Sequence, residues 1–161
     1  MTTQLSIPEN ALSVQETNSF TALTFTTRTT LSTLSQHVRT VAEDLYAEAN
    51  RLNLDVSGPI YWVYTGASGD ENQEFQLEIA LPIAQEREAS SEFSYKTFPS
   101  FRCASYTYAG PWSDFKEVYS ILFSQLYREG YQGTGNVREV YTVIDFENQE
   151  NCITDIQIGI A

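Results

Sequence analysis

The chain has 161 residues, 42% hydrophobic and 19% charged, enough for one packed domain or two small modules sharing a core, and too apolar for a disordered chain. Nine Lys and Arg against twenty-one Asp and Glu give a formal charge of −12. The basic residues are scattered singly, which excludes the clustered positive surface that direct binding of nucleic acid requires, and the acidity favours cations at long range while serving solubility equally.

The first seventeen residues are weakly patterned and read as a tail or an extra edge segment, so the domain is expected to run over 18–161. They carry neither a basic stretch nor an apolar one of signal-peptide type. No run approaches membrane-spanning length, so no membrane partner is expected and the location is expected to be cytoplasmic. Phe20 to Thr30 is rich in Thr, Phe and Leu and reads as a strand. Leu31 to Leu52 reads as a helix, with Leu34, Val38, Val41, Ala42, Leu45, Tyr46 and Ala49 at helical spacing. A loop over Asn53 to Gly58 leads to a strand at Ile60 to Thr65, a turn at Gly66 to Gln73 and a strand at Phe75 to Ile83. Residues 84–94 form a polar linker. Tyr95 to Tyr108 is extended and broken at Pro99. Gly110-Pro111 opens a second helix, where Pro is tolerated in the first turn. Gly130 to Gly135 is its exit, and Val137 to Ile144 with Ile153 to Ile160 form a hairpin.

The two halves match each other. Gly58-Pro-Ile-Tyr-Trp-Val-Tyr-Thr65 and Gly135-Asn-Val-Arg-Glu-Val-Tyr-Thr142 share Gly, Val, Tyr and Thr at an offset of 77. Glu71-Asn-Gln-Glu74 recurs as Glu147-Asn-Gln-Glu150 at 76, one residue short. Glu78 to Ile83 resembles Asp155 to Ile160. The helical stripe from Val38 onward maps at 77 onto Phe115, Val118, Tyr119, Leu122, Phe123 and Leu126, all apolar or aromatic. The expected fold is α+β: tandem duplicated βαββ modules (18–83 and 95–161) building an antiparallel sheet, two long helices on one side, and a central ligand groove between the halves.

Side chains alternate along a strand, so Val137, Glu139, Tyr141 and Val143 share one face, and Ile60, Trp62 and Tyr64 share the equivalent one. Glu139 is the exception on a face that is otherwise large and apolar, and Trp62 is its counterpart in the first half. A carboxylate in such surroundings is costly unless paired, and its pKa rises. Either it pairs with an Arg or a Tyr hydroxyl, or it recognises a cationic ligand among aromatic faces. Tyr64, Tyr106, Tyr108, Trp112 and Tyr141 are further candidates for the pocket wall, each with a structural alternative. His37 is the sole histidine and sits beside the first helical stripe, which argues against a His-based triad. Cys103 and Cys152 are isolated, with no metal-ligand spacing, and a disulfide between them stays open. No phosphate-binding glycine motif is present, and no metal or cofactor is expected.

Asn136-Val-Arg-Glu-Val-Tyr-Thr-Val-Ile-Asp145, with the closing strand Ile153 to Ile160 and the approach Phe98-Pro-Ser100 and Tyr108-Ala-Gly-Pro-Trp112, resembles the GyrI-like small-molecule-binding family over residues 18–161. The resemblance implies a glutamate in an aromatic pocket that contacts cations, a role falling on Glu139. It also implies the effector-binding domains of multidrug-sensing transcription regulators as relatives. The expectation here is a free-standing member, since the N-terminal tail is too short and too polar for a helix-turn-helix. Two alternatives come with the family: hydrolysis of strained cyclopropane-containing toxins through the pocket glutamate, and a gyrase-inhibitor-like interaction with a protein partner.

Overall fold

The computed structural model of the chain describes residues 6–34, 38–67 and 72–161; His37 and Glu71 lie outside the described residues. Among the described residues eight strands and two α-helices follow in the order β1 (Ser13–Thr17), β2 (Phe20–Thr29), α1 (Val38–Arg51), β3 (Tyr61–Thr65), β4 (Phe75–Ile83), β5 (Ser94–Phe98), β6 (Phe101–Ala109), α2 (Phe115–Arg128), β7 (Gly133–Val143) and β8 (Ile153–Ile160). All strands join one antiparallel sheet, ordered β1-β6-β8-β7-β3-β4-β2-β5. The α+β class is as the sequence indicates.

The first helix differs from its expected span. Among the described residues it runs from Val38, and Leu31 to Leu34 is a turn. A cluster of threonine hydroxyls explains this: Thr29 and Thr33 hydrogen-bond at 2.8 Å, and the Thr33 amide returns to the Thr30 carbonyl at 3.1 Å. Such side-chain bonding offers the backbone an alternative to the helix. The helix ends where Asn53 takes a left-handed conformation (φ 55°), with the Leu54 amide on the Ala49 carbonyl. Leu45, Ala49 and Leu52 are buried, whereas Tyr46, placed in the same stripe from sequence, is 45% exposed. One residue of helix turns a side chain by about 100°, and Tyr46 follows Leu45 directly.

Both helices cover the same face of the sheet. Ile79, Trp62, Glu139 and Ile156 stand in one cross-strand row through β4, β3, β7 and β8. Leu45 and Ala49 of α1 pack with Trp62, Leu77 and Ile79. Val118, Leu122 and Leu126 of α2 pack with Ile156 and Ile158. The helices therefore sit on the two halves, and the seam between β3 and β7 runs beneath the space between them.

The segment before residue 18 joins the sheet: β1 pairs with β6, Thr17 facing Phe101. Beyond two residues, β2 pairs with β5, Phe20 facing Phe98, and the register continues unchanged. β1 with β2, and β5 with β6, thus act as two long strands bent together at 18–19 and 99–100. They link opposite ends of the sheet, which must curl so that its helix-free face becomes an interior. Ala22, Val63, Ala80 and Phe98 are buried there. The linker is tied to α1: Ser90 Oγ and Arg51 Nε donate to the Glu48 carboxylate at 2.5 and 2.6 Å. The Arg51 and Ser90 bonds hold that carboxyl down at about 2.

Candidate functional site

A cavity of about 990 Å³ lies over the β3–β7 seam, between the helices. Its floor is made of side chains of one parity: Ile60, just before β3, with Trp62 and Tyr64 from β3, and Val137, Glu139 and Tyr141 from β7. Its walls include Phe115, Tyr119 and Phe123, one face of α2. The volume lies at the upper end of the range usual for organic ligands.

Glu139 is 2% exposed at the centre of this floor. Three phenols surround it. Tyr64 and Tyr141 donate to Oε1 at 2.9 and 2.5 Å, and Tyr119 donates to Oε2 from α2. Among the described residues no ammonium or guanidinium pairs with it. Burial pushes the carboxyl above its usual 4.5, and the three hydroxyl bonds oppose the rise. The phenols are pushed well above 10 by their own burial and by the carboxylate beside them, so they remain neutral donors. The result is a carboxylate stabilised by dipoles, each charged hydrogen bond contributing about 1.5–3 kcal/mol, and by no opposite charge among the described residues. A desolvated anion of this kind attracts a cation far more strongly than a solvated one does.

Aromatic rings line the approach. Trp62 and Trp112 each meet Tyr141 edge-on, with centroids 5.7 and 5.9 Å apart. Phe146 continues the series against Trp112 at 5.5 Å and is 52% exposed, which places it at the mouth. Ring faces add attraction for a cation, about 0.5–2 kcal/mol each. Lys116, an exposed residue of α2, also lines the cavity; solvent screens its charge.

Of the residues singled out from sequence, Trp62, Tyr64, Trp112, Glu139 and Tyr141 border the cavity together. Tyr106 and Tyr108 are not among its lining residues. They face the helices too, but from β6, opposite Ile156 and Thr154, so β8 stands between them and β7. Tyr106 packs beneath α2. Tyr108 braces the entry to α2: its hydroxyl donates to the Pro111 carbonyl at 3.1 Å, directly before Trp112. A Cβ at Gly110 would fall 2.5 Å from that hydroxyl, so the turn needs glycine. Tyr119, Phe115 and Phe123 stand in the sequence only as a helical stripe. The signal that marks Tyr119 as more is a hydroxyl within an apolar stripe one turn from Phe115 and Phe123.

The model of the GyrI-like small molecule binding domain matches residues 11–161. The chain belongs to this family. The match begins before residue 18 and so takes in β1. Solved structures share the GyrI-like fold. The EcmrR C-terminal domain aligns with a TM-score of 0.70 at 14% identity, over 93% of this chain and 96% of that one. SAV2435 bound to tetraphenylphosphonium aligns at 0.63 and 14% identity, over 93% of each chain. A hydrolase from Listeria innocua aligns at 0.65 and 13% identity, over 96% of this chain and 93% of that one. In the EcmrR–DNA complex the GyrI-like chain described here spans 56% of the EcmrR chain, with a TM-score of 0.75 and 14% identity. At these identities the likeness establishes the fold. No curated protein sequence matches significantly. Among the described residues no helix is long and apolar enough to cross a membrane.

Proposed function

We propose that this GyrI-like domain binds lipophilic organic cations in the cavity, with Glu139 as counter-charge and Trp62, Tyr64, Trp112, Tyr119 and Tyr141 as the aromatic surround. The observation that carries this reading is a fully buried carboxylate with three neutral donors and no cationic partner among the described residues. A monovalent cation with apolar substituents supplies what is missing, namely positive charge with little desolvation cost of its own. The tetraphenylphosphonium carried by SAV2435 is a ligand of this kind. The duplication belongs to the same proposal: Trp62 and Glu139, 77 positions apart, face each other across the β3–β7 seam, as a local two-fold axis there requires.

A second reading is hydrolysis. It is favoured by the burial of Glu139, which raises its pKa and makes it a stronger base than an exposed carboxylate, and by the hydrolase among the structural neighbours. Glu139 would accept a proton from water as the water oxygen bonds to a cyclopropane carbon; the strained C–C bond breaks, its electron pair passes to a carbonyl conjugated with the ring, and that oxygen takes up the proton from Glu139 or solvent. The two readings separate experimentally. A thermal-shift series compares tetraphenylphosphonium with an uncharged amphiphile of similar size. The cation is expected to raise the melting temperature, and more than the neutral compound does. Equal shifts, or none with the cation, contradict cation recognition. Loss of a cyclopropane-containing alkylator on incubation, with the ring-opened product appearing, supports the second reading.

A further inference from the structure

A buried charge stands on the other face of β7, one residue from Glu139. Arg138 is 5% exposed, in the interior formed where the sheet curls. Its guanidinium lies over the ring of Phe101 at 4.1 Å, with those of Phe98 and Phe20 at 5.6 and 5.9 Å. Among the described residues its one hydrogen bond to protein is a long one, 3.5 Å from Nη2 to the Pro99 carbonyl, and Nη1 is buried with no partner. Among the described residues no carboxylate forms an ion pair with it. Burial lowers its pKa, without bringing an arginine near neutrality. Aromatic faces offset part of the desolvation cost but satisfy no N–H.

Beside it lies a crevice of about 220 Å³ at the bend of the sheet, lined by Arg138, Lys96, Glu78, Ser100 and Phe101 among others. The Lys96 Nζ sits 2.6 Å from Glu78 Oε2, and Glu78 Oε1 accepts from Gln76 at 3.3 Å. The one carboxylate of the crevice is therefore already neutralised, and the guanidinium remains as net positive charge. The crevice shares only Asn136 with the lining of the large cavity.

We propose that this crevice is a second ligand site, for a small oxyanion whose oxygens accept hydrogen bonds from Nη1 of Arg138 and Nζ of Lys96. Carboxylate and phosphate present the same acceptor chemistry, and a guanidinium meets either with two parallel donors. The volume admits an anion of several heavy atoms. In a protein of charge −12 the crevice, with Arg138 and Lys96 against Glu78, is a local excess of positive charge. It does not rest on the reading of Glu139, and its ligand has the opposite charge, so the two stand or fall separately.

The test is a thermal-shift and amide NMR titration of the whole chain with inorganic phosphate and with acetate, against chloride at equal ionic strength. Either oxyanion is expected to raise the melting temperature, by about 5–11 °C at a hundredfold excess over its Kd, and to move the amides of Ser100 and Phe101. Which of the two acts at lower concentration identifies the chemistry. Ser100→Asp places a negative charge on the exposed rim and is expected to weaken binding at least tenfold. Arg138→Met keeps the volume and is expected to abolish it. If Arg138→Met does not fold, the wild-type titration and Ser100→Asp decide. Shifts no larger than those with chloride, or oxyanion shifts retained in Ser100→Asp, overturn the proposal.

Discussion

Glu139→Gln weakens tetraphenylphosphonium binding by roughly 30-fold or more and leaves the unliganded protein as stable as wild type, or more so. The first half follows from the cost of removing one member of a buried charge pair, about 2–5 kcal/mol. The second follows from the absence of a cationic partner among the described residues. In the unliganded state Glu139 bears the desolvation cost of a charge, and glutamine at this position bears none, while the tyrosine hydroxyls can still hydrogen-bond the amide. A structural carboxylate gives the opposite pattern, with a loss of stability and no change in cation affinity. Calorimetric titration and a urea melt of the same two proteins read both halves.

The double variant Tyr64→Phe/Tyr141→Phe removes both donors to Oε1 and leaves Tyr119 on Oε2. At neutral pH it is expected to be less stable by about 2 kcal/mol, since bonds to an ionised group are lost. For a chain of this size that is a fall of about 4–8 °C in melting temperature. These hydroxyls hold the Glu139 pKa down against burial, so their loss lets it rise further. Two consequences carry the sign. The stability gap to wild type narrows as pH falls, because a protonated carboxyl depends less on the missing donors. Cation affinity is lost at a higher pH than in wild type as pH falls, and recovers as pH rises and Glu139 ionises. Thermal melts and cation titrations between pH 5 and pH 9 measure both. A gap that is constant with pH places the effect in packing rather than in the carboxylate.

What is legible in the sequence is what local pattern carries. Strand parity puts Glu139 on the face of Trp62 and Tyr64 from a few residues alone, and the sequence match between the halves sets Trp62 at the position corresponding to Glu139. Tyr119 escapes because a helical stripe treats tyrosine as one more apolar position; only the packing of α2 over β7 brings its hydroxyl to Oε2. Tyr106 and Tyr108 have the right residue type and face, but lie a strand too far out, and strand order is not written in periodicity. Parity also assigns Arg138 to the opposite face without revealing that this face is enclosed. The enclosure comes from the bends at 18–19 and 99–100, whose shared register joins segments some eighty residues apart. The weak pattern of Ser13–Thr17 has the same cause. It is an edge strand, largely exposed, held by its backbone bonds to β6.

Cation recognition by Glu139 is tested most directly by a pH titration of its side-chain carboxyl by ¹³C NMR, with and without saturating tetraphenylphosphonium. Burial keeps the free protein's carboxyl above 4.5. Between 4.5 and that higher value the folded chain holds a proton that the unfolded chain has released, so this group favours folding as pH falls through the window. A bound cation stabilises the ionised form and must lower the titration midpoint. The expected result is a midpoint above 4.5 without the cation and a clear fall with it. A midpoint unmoved by bound cation means that the cation does not meet Glu139, and contradicts its role as counter-charge.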